Sequence, residues 1–212
     1  MNRTILVTRP SHDQTTRCIS AWAGEVLDFA VKRGDTVIDL AKDRANRKEF
    51  ESVLDKKDPS MVFFNGHGDE SRVGGQDNET LVDTQNSSRL SGKVVYALAC
   101  KSGQLLGPVS IEHGTAAYVG YNEDFIFMTE PDKRTHPLDD KTAALFMGPS
   151  NQVVISLLKG QTAQEAHIHS RKAFFRSIRK LMTSKTSLAD SSALRFLYWD
   201  ATVQACYGDG RM

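Results

Sequence analysis

Short apolar runs separated by helix-length stretches dominate the first 121 residues, and this alternation is what a parallel sheet requires, because each parallel strand needs a crossover to reach the next. Residues 4–8 (TILVT) read as a first buried strand. Cys18, Ile19, Trp22, Ala23, Val26, Leu27, Ala30 and Val31 then recur at three and four residues, the stripe of one amphipathic helix. Gly34 stops that helix, residues 36–40 make a second strand, and Phe50, Val53 and Leu54 mark a shorter helix that ends before Pro59. Residues 61–64 (MVFF) and 94–99 (VVYALA) are continuously apolar, as strands covered on both faces are, and 116–121 make a fifth strand. The predicted fold class is α/β, with three layers: a mostly parallel central sheet between two layers of helices.

Residues 69–92 are polar and rich in Gly, Asn and Ser, and they predict a long loop or a small ribbon. Beyond the fifth strand an irregular segment runs to 138, and the remainder, 139–207, reads as mainly helical, broken once at Gly148 and Pro149. Thr162 and Glu165 form the capping-box pattern that opens a helix. A length of 212 residues fits one ordinary domain, so a single domain over 1–212 with its sheet core in about 1–121 is expected.

Lys and Arg number 27 against 26 Asp and Glu, a formal charge of +1, which supplies no bulk attraction for nucleic acid or for a membrane surface. The opening apolar stretch spans only 5–7, and no run approaches the length of a membrane span, so a soluble, cytoplasmic protein is expected. The 3 cysteines, Cys18, Cys100 and Cys206, are odd in number and widely spaced, which suits neither a disulfide framework nor paired zinc ligands.

Ligands of open parallel sheets gather at the carboxyl ends of the strands, where the loops diverge. Two reactive side chains stand at such ends: His67, in Asn65-Gly66-His67-Gly68 after the third strand, and Cys100, directly after the fourth. If those strands are neighbours, an imidazole and a thiol meet, the combination that makes a thiol nucleophilic. A turn or helix start after Cys100, together with Lys101, is expected to lower the thiol pKa. Gly66 and Gly68 permit close backbone approach, and the N–H groups of Gly68 and Cys100 are candidate donors to a developing oxyanion.

The texts FFNGHG and VVYALACKSG resemble the caspase-like clan of cysteine peptidases, the group of caspases, gingipains, clostripain, separases and bacterial CHAT domains. In that clan one strand ends in His-Gly and the next in Ala-Cys, with a small residue and Gly soon after, as in Cys100-Lys101-Ser102-Gly103. The resemblance implies His67 as the catalytic histidine, Cys100 as the nucleophile, and Gly68 with Cys100 as the oxyanion donors. It implies a cysteine endopeptidase working through a thioester acyl-enzyme on a protein or peptide substrate, with no metal or cofactor in the chemistry. Leu98, two residues before the cysteine, resembles the gingipain, separase and CHAT branches rather than caspases, so cleavage after aspartate is not implied.

The clan's specificity pocket draws on loops after the first, third and fifth strands. Arg9 there would attract an acidic side chain, whereas Asp69, Glu70, Glu123 and Asp124 would suit a basic one; four carboxylates against one guanidinium favour a basic residue. The loops 69–92 and 122–138 suggest control by a regulatory protein partner or ligand that orders them. Two other readings stay open. One is a catalytically inactive caspase-like binding module in a larger assembly. The other is a glutamine-amidotransferase-like thiol enzyme, whose histidine would follow the cysteine and come from His113, His136, His167 or His169. Leu106 stands where a thiol phosphatase would need arginine, which excludes that chemistry.

Overall fold

A computed structural model describes residues 3–182 and 188–212. β1 (Thr4–Arg9), α1 (Gln14–Lys32), β2 (Thr36–Ala41), α2 (Arg47–Lys57) and β3 (Met61–Asn65) follow one another. After them come a hairpin of β4 (Arg72–Gly74) and β5 (Thr80–Asp83), then β6 (Val94–Leu98), α3 (Leu106–Glu112) and β7 (Ala117–Tyr121). Helices α4 (Lys141–Leu158), α5 (Ala163–Leu181) and α6 (Leu188–Val203) lead to the last strand, β8 (Gln204–Gly208). The central sheet has the order β2-β1-β3-β6-β7-β8, and every pair is parallel except β7 with β8. The expected α/β architecture with a mostly parallel sheet is the one observed.

Alternation along each strand divides the core into two. Ile5, Val7, Met61, Phe63, Val94, Tyr96 and Leu98 face one side, where α1, α4 and α5 pack. Leu6, Val62, Phe64, Val95 and Ala97 face the other, against α2, α3 and the β4/β5 hairpin. Every residue of β3, β6 and β7 is buried, which accounts for their unbroken apolar runs.

Two segments depart from the structure their residues predict. Residues 204–207 were expected within the helical remainder, yet they belong to the strand Gln204–Gly208, which pairs antiparallel with β7 and is anchored by Gln204, whose Nε2 donates to Tyr121 Oη at 3.1 Å and to Ser170 Oγ at 3.0 Å. Gly148 and Pro149 do not break α4, which runs through them. Phe146, Met147, Pro149, Val153 and Val154 are all buried along that helix, and their packing outweighs the backbone bond that proline removes. The segment 69–92 is the expected small ribbon, and its Val73, Leu81, Val82 and Leu90 are fully buried.

Candidate active site

β3 and β6 are hydrogen-bonded neighbours in a parallel register that pairs Met61 with Val94 and Asn65 with Leu98. The offset between them is 33, and it is also the separation of His67 and Cys100 (100 minus 67), so each residue lies two positions beyond a paired end. The Gly66 amide extends the ladder by donating to the Leu98 carbonyl at 3.3 Å. His67 and Cys100 line one cavity of about 420 Å³, walled by Gln14 and Thr15 at the start of α1 and by Phe125, Ile126, Phe127 and Thr129 after β7.

The glycines flanking His67 let the two strand ends close up. A Cβ on Gly66 would lie 2.3 Å from the Gly74 carbonyl oxygen, and one on Gly68 would lie 2.9 Å from Ala99 Cβ and 3.0 Å from the Cys100 carbonyl oxygen. Gly68 therefore sits directly against the backbone that carries the thiol. Among the described residues, neither the Gly68 nor the Cys100 N–H has a hydrogen-bond acceptor.

His67 is held by Asp13, a partner that the sequence reading missed. Asp13 Oδ2 accepts from His67 Nε2 at 2.5 Å, while Oδ1 caps α1 by accepting from the Thr16 amide at 2.7 Å and from its hydroxyl at 2.8 Å. Partial burial pushes the carboxyl pKa up, but the hydrogen bonds from Thr16 and His67 outweigh it and hold Asp13 down at about 2. At neutral pH Asp13 is thus a carboxylate and can only accept, so the shared proton belongs to His67 Nε2 and the Nδ1 lone pair is free to act as a base. The available signal was an Asp three residues ahead of a Thr at the start of the first helical stripe, a helix cap at the same sheet edge as His67.

Cys100 differs from its expected electrostatics. α3 begins only at Leu106 and spans 7 residues, too far away and too short to stabilise a thiolate. Burial pushes the Cys100 thiol up; a backbone hydrogen bond with Phe125 opposes this, and the nearby carboxyls of Asp124 and Asp200 reinforce it. The resting group is a neutral thiol, its Sγ 4.0 Å from the Phe125 carbonyl oxygen.

The remaining candidate residues scatter. Arg9 is committed to Asp39 on β2, with Nε donating to Oδ1 at 2.9 Å. Asp69 accepts from Arg72 Nε at 2.9 Å, and Glu70 is exposed with its carbonyl receiving the Leu105 and Leu106 amides. The Glu123 carbonyl pins the loop after the thiol by accepting from the Lys101 amide at 3.1 Å. Of the five, Asp124 alone bears on Cys100, its carboxyl adding to the upward push on the thiol. His113 pairs with Ser87, His136 with Thr135, and His167 and His169 with Gln204 and Gln161, so none of these histidines is brought to the cavity.

No protein-family model matches the chain, and no curated protein matches it by sequence. Among solved structures it is similar to the Arg-specific cysteine proteinase gingipain R, with a TM-score of 0.63 and 13% identity over 97% of this chain. The fold is caspase-like. A complex of the pro- and mature domains of the Porphyromonas gingivalis enzyme gives the same likeness, with a TM-score of 0.59 and 12% identity over 98% of this chain. The chain spans about half of those solved chains, 46% and 47%. In the caspase-like sheet of this chain, His67 and Cys100 occupy the carboxyl edge of adjacent strands, where such sheets expose their loops. Among the described residues, no helix is long and apolar enough to cross a membrane.

Proposed function

We propose that the chain is a cysteine endopeptidase with Cys100 as nucleophile and His67 as base. The observation that carries this reading is the shared cavity of the two residues at register-matched strand ends, with Asp13 fixing the His67 tautomer. The thiol proton moves to His67 Nδ1 as Sγ attacks the peptide carbonyl carbon, and the amides of Gly68 and Cys100 receive the oxyanion. Collapse of the tetrahedral species breaks the C–N bond, and His67 returns the proton to the leaving amine. Water, activated by the same imidazole, then cleaves the thioester.

A preference for a basic residue before the scissile bond draws support from the Asp124 carboxylate beside the thiol and from the neutralisation of Arg9 by Asp39. The Arg-specific activity in the name of the gingipain neighbour points the same way. Burial is the main reason that Cys100 stays protonated, and a cationic side chain near Asp124 would offset the smaller share due to that carboxylate, coupling substrate charge to thiol activation. Control by a protein partner is best located in 122–138, since that irregular segment walls the cavity, whereas 69–92 is packed into the second core.

The test is a mixed-sequence peptide library offered to wild type, Cys100→Ala and His67→Ala, with cleavage sites read by mass spectrometry and a thiol-directed acyl probe run alongside. Cleavage after Lys or Arg that disappears in both variants is the expected result. Cleavage after other residues would remove the basic preference alone. No cleavage and no labelling of Cys100 would favour a binding module, the reading that the raised Cys100 pKa supports.

A further inference from the structure

His12 stands beside Asp13 with its side chain 11% exposed, and its Nε2 is buried without a hydrogen-bond partner among the described residues. That atom lies 3.8 Å from Asp13 Oδ2, the same oxygen that meets His67 Nε2. The three ligand atoms lie within 4.8 Å of one another, and the His12 and His67 rings cross edge to face with centroids 5.8 Å apart. Two imidazole nitrogens and a carboxylate oxygen gathered this closely are a borderline-soft donor set, the kind that holds Zn²⁺ with a fourth position left to water.

We infer that His12, Asp13 and His67 form an inhibitory binding site for a divalent transition metal of the Zn²⁺ class. Tetrahedral bonds of about 2.0–2.2 Å separate neighbouring ligand atoms by roughly 3.4 Å. The Asp13–His67 contact must therefore open by about 0.9 Å and the Asp13–His12 contact close by about 0.4 Å, while the two imidazole nitrogens close by at most about 1.4 Å. His67 and Asp13 have side chains 39% and 41% exposed, which leaves room for that movement. Asp13 Oδ1 stays on the Thr16 amide and keeps α1 capped while Oδ2 turns to the metal.

Two features oppose the cation, and both are local. The positive end of the α1 dipole lies here, but Asp13 Oδ1 already answers it; Arg17 bonds the Asp13 carbonyl rather than its carboxylate. The Asp77 amide donates to His12 Nδ1 at 3.1 Å, which leaves the ring proton on Nε2. Metal binding shifts that proton to Nδ1 and gives up one exposed hydrogen bond for a metal–nitrogen bond.

The same shift at His67 explains the inhibition. With the metal on Nε2, the ring proton moves to Nδ1, and the lone pair that would take the thiol proton is gone; no net proton is released. Metal binding stands on the geometry alone, whereas its inhibitory effect rests on the peptidase reading.

Co²⁺ serves as a spectroscopic stand-in for Zn²⁺, titrated into the 212-residue chain carrying Cys100→Ala so that the nucleophile thiol contributes nothing. One equivalent should give tetrahedral d–d absorption without sulfur charge-transfer bands, and Zn²⁺ should displace it. His12→Gln and Asp13→Asn should each weaken binding at least tenfold; melting curves of the metal-free variants check that they fold, and Asp13→Asn retains a capping side chain. Unchanged affinity in both variants, absence of a stoichiometric Co²⁺ complex, or binding seen only when Cys100 is present would overturn the site. In the wild type, one equivalent of Zn²⁺ should stop peptide cleavage and a chelator should restore it. Cleavage that persists with the metal bound overturns the inhibitory role. A metal-free wild type that cleaves nothing sinks the peptidase reading, and the Co²⁺ titration still decides the site.

Discussion

Asp13 serves two elements at once, and the two roles can be separated by a single substitution. One oxygen caps α1 and the other holds His67. Asparagine caps a helix about as well as aspartate, so Asp13→Asn should keep α1 formed and lose only the charge-assisted share of its bonds, on the order of 1 kcal/mol at this partly exposed position. It should lower kcat/KM on the order of 10-fold or more, since the His67 proton is no longer confined to Nε2. Equal losses of stability and activity would reduce Asp13 to a cap. Cys100 offers a second test. Because burial and the neighbouring carboxyls raise its pKa, the rate of iodoacetamide alkylation at Cys100 should still be climbing at about pH 9 in the resting protein. A plateau near neutrality would mean a preformed thiolate.

Among the elements, α5 shows how local signals and packing combine. Thr162 Oγ1 accepts from the Glu165 amide at 3.2 Å, and Glu165 Oε2 accepts from the Thr162 amide at 2.8 Å, the reciprocal box visible in the sequence. Thr162→Ala should cost about 1 kcal/mol, read as a lower denaturant midpoint with an unchanged slope. The same helix fixes β8 through Ser170, whose hydroxyl receives Gln204 Nε2 and donates to the Pro149 carbonyl at 2.9 Å. That chain of polar contacts joins α4, α5 and β8 beside β7. None of its members carries an apolar period, which is why no strand was legible at 204–208.

Across the whole molecule, α6 reaches back to the cavity. Asp200 Oδ1 accepts from the Ile126 amide at 3.0 Å, and Trp199 Nε1 donates to the Asp124 carbonyl at 2.8 Å, so two residues near the C-terminal end of the fold hold the wall that follows β7. Phe125 and Phe127 extend that wall into both the sheet core and the cluster among α4, α5 and α6. Burial pushes Asp200 up to about 8, against 3.8 for an ordinary aspartate, with the Ile126 amide opposing it only in part. The folded protein thus keeps a proton that the unfolded chain releases, so this contribution to stability is complete below about pH 4 and is lost as pH rises through about 8. Asp200→Asn keeps an acceptor for Ile126 and removes the ionisation. Its melting temperature should exceed that of wild type at pH 9, by an amount equivalent to a few kcal/mol, and the advantage should shrink towards pH 4. A pH-independent difference would show that Asp200 does not titrate in the fold.

What the sequence determined by itself was whatever repeats or sits at a strand boundary. Unbroken apolar runs announced β3, β6 and β7 because those strands are covered on both faces, and the His-Gly and Ala-Cys ends announced His67 and Cys100. Even their 33-residue separation was present as the β3–β6 register, although only pairing gave it meaning. Tertiary structure alone decided the polar surroundings. It set Asp13 and His12 against His67, put Asp124 and Asp200 near the thiol, turned Arg9 to Asp39, and withheld a helix dipole from Cys100. Burial of an apolar strand is encoded in its own residues, whereas the partner of a charge depends on which distant backbone segments the packed sheet brings within a few ångströms.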